Sequence, residues 1–191
     1  MINKFRDKKY KKISGSKSRL NTIIETERLI LKPIALEYAE DIFAEFTDEI
    51  TTFMFPSAAR KISETHDFIN DSIKKVKSGE EIVMSIFDKS TGEFFGNGGL
   101  HHIDTATPEL GIWIKKSAHG KKIGREAVAG LKRWADENLT YKYLTYPVAV
   151  DNIASRKIPE SLGGKVAREF SDKKQNGEEM LQVEYHIYPK N

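Results

Sequence analysis

The sequence predicts a mixed α/β domain in which a mostly antiparallel sheet is flanked by helices. Three observations carry that prediction. Apolar runs of strand length in the middle of the chain are joined by short polar turns. Amphipathic helical stretches precede and follow those runs. A strand, helix, strand succession in the second half implies a right-handed crossover to a parallel neighbour. With 191 residues, 39% of them apolar, the chain is long enough for one well-buried core and short for two, so a single domain over 22–191 is expected.

The preceding segment, residues 1–21, is polar and sparing in large apolar residues, with Phe5, Tyr10 and Ile13 among the few. Such a segment cannot bury enough surface to offset its ordering entropy, so a flexible basic arm is expected. Residues 1–20 hold eight Lys or Arg against the single acid Asp7, whereas the whole chain carries only +3. The body is therefore mildly acidic and the basic isoelectric point belongs to the arm. Neither an apolar run after the charged stretch nor any run of about 18 apolar residues is present, so a cytoplasmic protein without membrane contact is expected. The absence of cysteine excludes disulfides, thiolate metal sites and a cysteine nucleophile.

The first strand is expected at Glu25–Pro33, with Leu29 and Leu31 on one face and Pro33 closing it. Tyr38, Ile42, Phe43 and Phe46 recur at helical spacing, and a second helix over Ser63–Lys77 aligns Phe68, Ile69, Ile73 and Val76. Strand-like runs follow at Glu81–Phe87, Phe94–Ile103 and Glu109–Ile114, separated by the turns Asp88–Gly92 and Asp104–Pro108, which reads as an antiparallel meander. From Gly124, the residues Ala127, Val128, Leu131, Trp134 and Ala135 make an amphipathic helix, and Tyr143–Val150 returns to strand. A short helix over Ala154–Leu162 and strands at Lys165–Phe170 and Leu181–Tyr188 complete the prediction.

The richest stretch in chemistry runs from Ile112 through a basic, glycine-bearing loop, His119-Gly-Lys-Lys-Ile-Gly-Arg125, into a helix. The unpaired N–H groups and dipole of a helix start hold phosphate without dedicated side chains, and Lys121, Lys122 and Arg125 would add charge-assisted contacts. The alternative reading of the loop is a solvated turn. It has the spacing of neither a P-loop nor a dinucleotide-binding turn.

The loop resembles the CoA-pyrophosphate motif of the GNAT superfamily, a Gln or Arg followed by spaced glycines between the fourth strand and the third helix. His119 stands in place of the Gln or Arg, and Lys122 in place of the first spaced glycine. Downstream, Asn152, Ser155 and Arg156 occupy the family's Asn-x-x-Ser-x-basic positions ahead of Leu162-Gly-Gly164. The opening Glu25-Thr-Glu-Arg-Leu-Ile-Leu31, Pro108–Ile114 and Gly124-Arg-Glu-Ala127 are similar to the RimJ/RimL-like branch. Together these motifs cover Ile23 to Tyr188 in the family's order.

The resemblance implies a GNAT-like fold, its antiparallel sheet interrupted by parallel fourth and fifth strands that splay apart. It also implies direct acetyl transfer from acetyl-CoA to a primary amine of a protein or peptide N-terminus or of a small molecule, without a metal. The backbone of Ile112, Trp113 and Ile114 would hold pantetheine, and His119, Gly120, Lys121, Lys122, Ile123, Gly124 and Arg125 the pyrophosphate. Asn152 would also meet pantetheine, and Arg156 either the phosphates or solvent. Ser155 falls near the leaving sulfur, where it donates a proton or hydrogen bond; its other reading is a helix-start residue bonding a backbone N–H. Glu109 falls where relatives carry an acid that takes a proton from the amine; its other reading is an ordinary strand-end carboxylate.

His101 and His102 are expected to end a strand, with one imidazole reaching the acceptor cleft. Acceptor choice is assigned to the loops near Thr47–Arg60 and Asp104–Pro108. Homodimers are frequent among such relatives, so a dimer is a further expectation. Two other functions fit parts of the sequence: a ribosome- or nucleic-acid-associated module using the basic arm, and a CoA-binding protein without transfer activity.

Overall fold

A computed structural model describes residues 19–174 and 177–190. The arm's first eighteen residues lie outside that range, and Arg19–Asn21 form a turn of 3-10 helix tied down where Arg19 donates to the Gly79 carbonyl at 2.8 Å. Eight strands make one sheet: β1 (Ile24–Glu25), β2 (Leu29–Pro33), β3 (Ile82–Asp88), β4 (Phe94–His101), β5 (Glu109–Ile114), β6 (Leu144–Ala149), β7 (Lys165–Lys173) and β8 (Glu179–Ile187). Their spatial order is β1-β2-β3-β4-β5-β6-β8-β7, antiparallel throughout except between β5 and β6. Helices α1 (Ala39–Glu45), α2 (Asp48–Thr51) and α3 (Ile62–Ser78) precede the meander, α4 (Ile123–Asn138) makes the predicted crossover, and α5 (Ile153–Ser161) follows β6.

Sheet alternation explains where the cores sit. Ile82, Met84 and Ile86 point to one face and join Leu110, Ala127, Val128 and Leu131 beneath α4; Val83 and Phe87 point to the other and join Ile42 and Ile69 beneath α1 and α3. Both faces are thus covered, which accounts for the continuous burial of β3.

Three expectations are corrected. The predicted first strand is two short ones, because the chain reverses at Thr26–Arg28, where the Thr26 N–H donates to the Leu29 carbonyl at 2.9 Å. The fourth and fifth strands of the expected fold are therefore β5 and β6 here. Phe68 is 47% exposed, because the buried stripe of α3 runs through Thr65, Ile69, Ser72 and Val76, a 4-3-4 spacing that passes it by. The strand expected to reach Ile103 stops at His101, since His102 adopts φ of +54°, incompatible with a ladder.

Candidate active site

The crossover pair β5 and β6 begins side by side and then parts. Glu109 opposite Thr145 is the only ladder pairing between them, reinforced where the Thr145 N–H donates to the Pro108 carbonyl at 2.8 Å. Backbone groups on a strand alternate sides, so Pro147, two residues beyond Thr145, faces the same gap. Proline has no N–H to offer there, and β6 turns its other edge to β8 over its whole length. The edge of β5 beyond Glu109, including Ile112 and Ile114, is left without a strand partner on the β6 side.

At the far end of β5 the chain enters the basic loop. His119 Nε2 donates to the Ile114 carbonyl at 2.7 Å, folding the loop back on the strand. Gly120 has φ of +76° and Lys122 has φ of +62°, so two left-handed residues flanking Lys121 turn the chain into α4. Lys122 is the N-cap, and no side chain caps the helix start. Its first amides are free to meet an anion, with Lys121, Lys122 and Arg125 exposed around them. A Cβ on Gly124 would lie 3.3 Å from Ile158 Cδ1 and 3.5 Å from Ile114 Cγ1, so glycine seats α4 close to both α5 and β5.

Two of the motifs noted in the sequence meet in space here. Glu126 of α4 accepts from the Thr26 hydroxyl at 2.5 Å, from the Arg28 backbone N–H at 2.8 Å and from Arg28 Nε at 2.7 Å. Burial favours the neutral acid, but these bonds outweigh it and hold Glu126 below the usual carboxylate range. Arg28 also donates to the Lys121 carbonyl at 3.2 Å, so the β1–β2 turn braces the loop.

A cavity of about 550 Å³ opens where the strands part, and the predicted residues Glu109, Ile112, Asn152 and Ser155 all line it. Burial raises the Glu109 carboxyl above its ordinary range, against the opposing pull of His101 and His102. Asn152 Oδ1 accepts from the Ser155 backbone N–H at 3.2 Å, so Asn152 caps α5 and the Ser155 hydroxyl is not used for capping. That hydroxyl lies 2.9 Å from the hydroxyl of Tyr146, a cavity residue the sequence reading did not single out. Burial pushes Tyr146 up to about 12, so it stays protonated. Its only sequence signal is a polar tip on an otherwise apolar strand; its pairing with a residue nine positions on is tertiary information.

Arg156 is engaged elsewhere, donating to the Tyr185 hydroxyl and to the Val150 carbonyl, each at 3.2 Å. Trp113 lines a second cavity, of about 640 Å³, on the α1/α3 side of β4 and β5. Met54, Pro56, His101, Gly111 and Ile112 line both cavities, which therefore adjoin at β5. The loop residues His119–Arg125 line neither and stand at the opposite end of β5.

His101 Nδ1 lies 3.1 Å from Glu81 Oε2, and Lys75 Nζ lies 3.1 Å from Glu81 Oε1. Burial would raise Glu81, yet these two partners prevail and lower it, so it is ionised. Among the described residues no group of three or more His, Asp or Glu is arranged to hold a metal ion, and no helix is long and apolar enough to cross a membrane.

Residues 28–165 match the family model described as an acetyltransferase (GNAT) domain. No curated protein sequence matches the chain. Among solved structures, the fold is similar to a GCN5-related N-acetyltransferase from Brucella melitensis, at 17% identity and TM-score 0.75, with 88% of this chain and 79% of that one covered. It is also similar to the microcin C7 self-immunity acetyltransferase MccE in complex with acetyl-CoA and AMP, at 20% identity and TM-score 0.77 over 85% and 93% of the two chains. A third structure is the Salmonella typhimurium acetyltransferase that modifies the N-terminal serine of ribosomal protein L7/L12, at 15% identity and TM-score 0.78 over 88% and 100%.

Proposed function

This chain belongs to the GNAT acetyltransferase family and is an N-acetyltransferase, and from that premise we propose that it transfers acetyl from acetyl-CoA directly to the α-amine of a peptide or protein, in the manner of the RimJ/RimL-like branch. The single pairing between β5 and β6 carries the reading, because it leaves a β5 edge without a strand partner leading from the α4 helix start to Glu109 and Ser155.

The thioester supplies an activated acetyl carbon. The bare amides at the α4 start, with Lys121, Lys122 and Arg125, bind the pyrophosphate. The β5 backbone at Ile112 and Ile114 and the Asn152 amide hold the pantetheine arm, whereas the Trp113 backbone faces β4, and a β5 N–H polarises the thioester carbonyl. Glu109, made more basic by burial, draws in the ammonium and accepts its proton. The Ser155 hydroxyl, backed by the protonated Tyr146, donates to the departing sulfur. An α-amine with pKa near ~8 costs about 1 kcal/mol to deprotonate at neutral pH, against more than about 4 for a lysine-type amine near ~10.4, so one half-buried carboxylate suits an N-terminal acceptor better. The Salmonella typhimurium neighbour, which modifies the N-terminal serine of a ribosomal protein, supports the same acceptor class.

The test is thiol release from acetyl-CoA with a panel of amines: a peptide with N-terminal serine, a lysine side-chain amine and a polyamine. Release should be fastest with the peptide. Glu109→Gln and Ser155→Ala should each lower kcat about 10- to 100-fold while acetyl-CoA binding is kept. Binding without release to any amine leaves a CoA-binding protein, whereas transfer untouched by both variants removes these residue roles.

A further inference from the structure

We propose that His101 is a second proton-accepting group of this site, paired with Glu109 and held ready by Glu81. The inference rests on the acetyl-transfer reading and deepens it.

His101 stands directly opposite Glu109 in the β4–β5 ladder, so the two side chains share the α1/α3 face of the sheet and are near neighbours. Behind the imidazole, buried Glu81 divides its oxygens between His101 Nδ1 and Lys75 Nζ. An ionised carboxylate only accepts, so Nδ1 carries the ring proton in this contact and Nε2 is left with its lone pair. The Nε2 end lies over Gly111, where a Cβ would come within 3.2 Å of it, so any other residue at 111 would crowd the ring from the strand. Of the five residues common to the two cavities, His101 alone can carry a proton. It therefore stands where an amine entering from the α1/α3 side would meet a thioester arriving along β5.

A carboxylate that fixes an imidazole's tautomer and steadies its charged form is a general device for making that ring a base. Here Lys75 keeps the supporting carboxylate ionised, and Glu109 supplies the opposite wall. The charged and titratable groups around His101 are Glu81, Lys75 behind it on α3, Glu109 on β5 and the adjacent His102, with Glu184 on β8 acting on Glu109. In the reaction the ammonium loses one proton to the Glu109–His101 pair, from which His101 Nε2 passes it on to solvent. The amine nitrogen forms its bond to the acetyl carbon as the carbon–sulfur bond breaks. A second nitrogen-bound proton reaches the sulfur by way of the Ser155 hydroxyl, so one proton is released per turnover.

The experiment compares wild type, His101→Gln, His101→Asn and Glu81→Gln with two acceptors: the best alkylamine of the panel, protonated at neutral pH, and methoxyamine, which is not. Calorimetric acetyl-CoA binding reports folding of each variant. Expected are a fall in kcat of about 100-fold for the His101 variants and about 10-fold for Glu81→Gln with the alkylamine, unchanged acetyl-CoA affinity, and losses within about threefold with methoxyamine. A His101 variant that binds acetyl-CoA and turns over the alkylamine at the wild-type rate overturns the proposal. Equal losses with both amines overturn it too, since they indicate a structural role. Should wild type itself release no thiol with any amine, the acetyl-transfer reading falls first and this one with it.

Discussion

Lys122 holds a left-handed backbone at φ of +62°, a conformation glycine adopts freely and an L side chain does not. A glycine at this place in the family's loop would meet that geometry without strain, and this chain adopts it with a lysine. Relief of the left-handed cost, about 1–2 kcal/mol, exceeds the extra chain entropy of glycine, about 0.5–1 kcal/mol. Lys122→Gly should accordingly raise stability by about 0.5–1 kcal/mol in urea unfolding, while weakening acetyl-CoA binding most at low salt, where the lost charge counts most. Glu109 makes the opposite exchange. Its folded pKa is raised, so the group favours the fold fully below its unfolded value and loses that contribution as pH rises through the folded value. Glu109→Gln should therefore melt higher than wild type at pH 8, with the gap closing below about pH 4. At this scale motif position made Glu109 and Ser155 candidates, and both line the cavity, but Tyr146 and Glu81 became visible only once folding brought them to their partners.

Helix α4 owes its placement to the turn between β1 and β2. Glu126 lines neither cavity, yet its bonds to Thr26 and Arg28 hold the first turn of the helix whose uncapped amides are proposed to bind the pyrophosphate. Glu126→Ala should cost about 2 kcal/mol of stability, as expected for losing charge-assisted hydrogen bonds that are partly buried. It should also weaken acetyl-CoA binding, read by calorimetry, with little change in kcat. Most elements were legible from periodicity because both sheet faces are covered and apolar patterning is strong; the α4 stripe through Ala127, Val128, Leu131 and Ala135 is buried as expected. The reversal at Thr26 was not legible. Glu25-Thr-Glu-Arg contains neither glycine nor proline, and the turn is stabilised by Glu126, 98 residues beyond Arg28.

At the scale of the molecule, two cavities adjoin at β5, one beside the parting strands and the other under α1 and α3. The proposed function gives donor and acceptor one cavity each, and no cysteine is present to carry the acetyl group between them. Initial-rate plots at several amine concentrations should give intersecting lines, the pattern of a ternary complex, instead of the parallel lines of a covalent acyl-enzyme. The crossover to a parallel neighbour followed from the strand, helix, strand order. The degree of parting between β5 and β6 did not follow from periodicity, which reads each strand separately, though Pro147 was a local mark of it.

Pro147 has one more implication. Without a donor at Pro147 the rung that would follow the Glu109–Thr145 pairing cannot form, so on the acetyl-transfer reading the slot needs no strand separation before acetyl-CoA enters. In stopped-flow mixing, the observed association rate should climb in direct proportion to acetyl-CoA concentration without reaching a plateau.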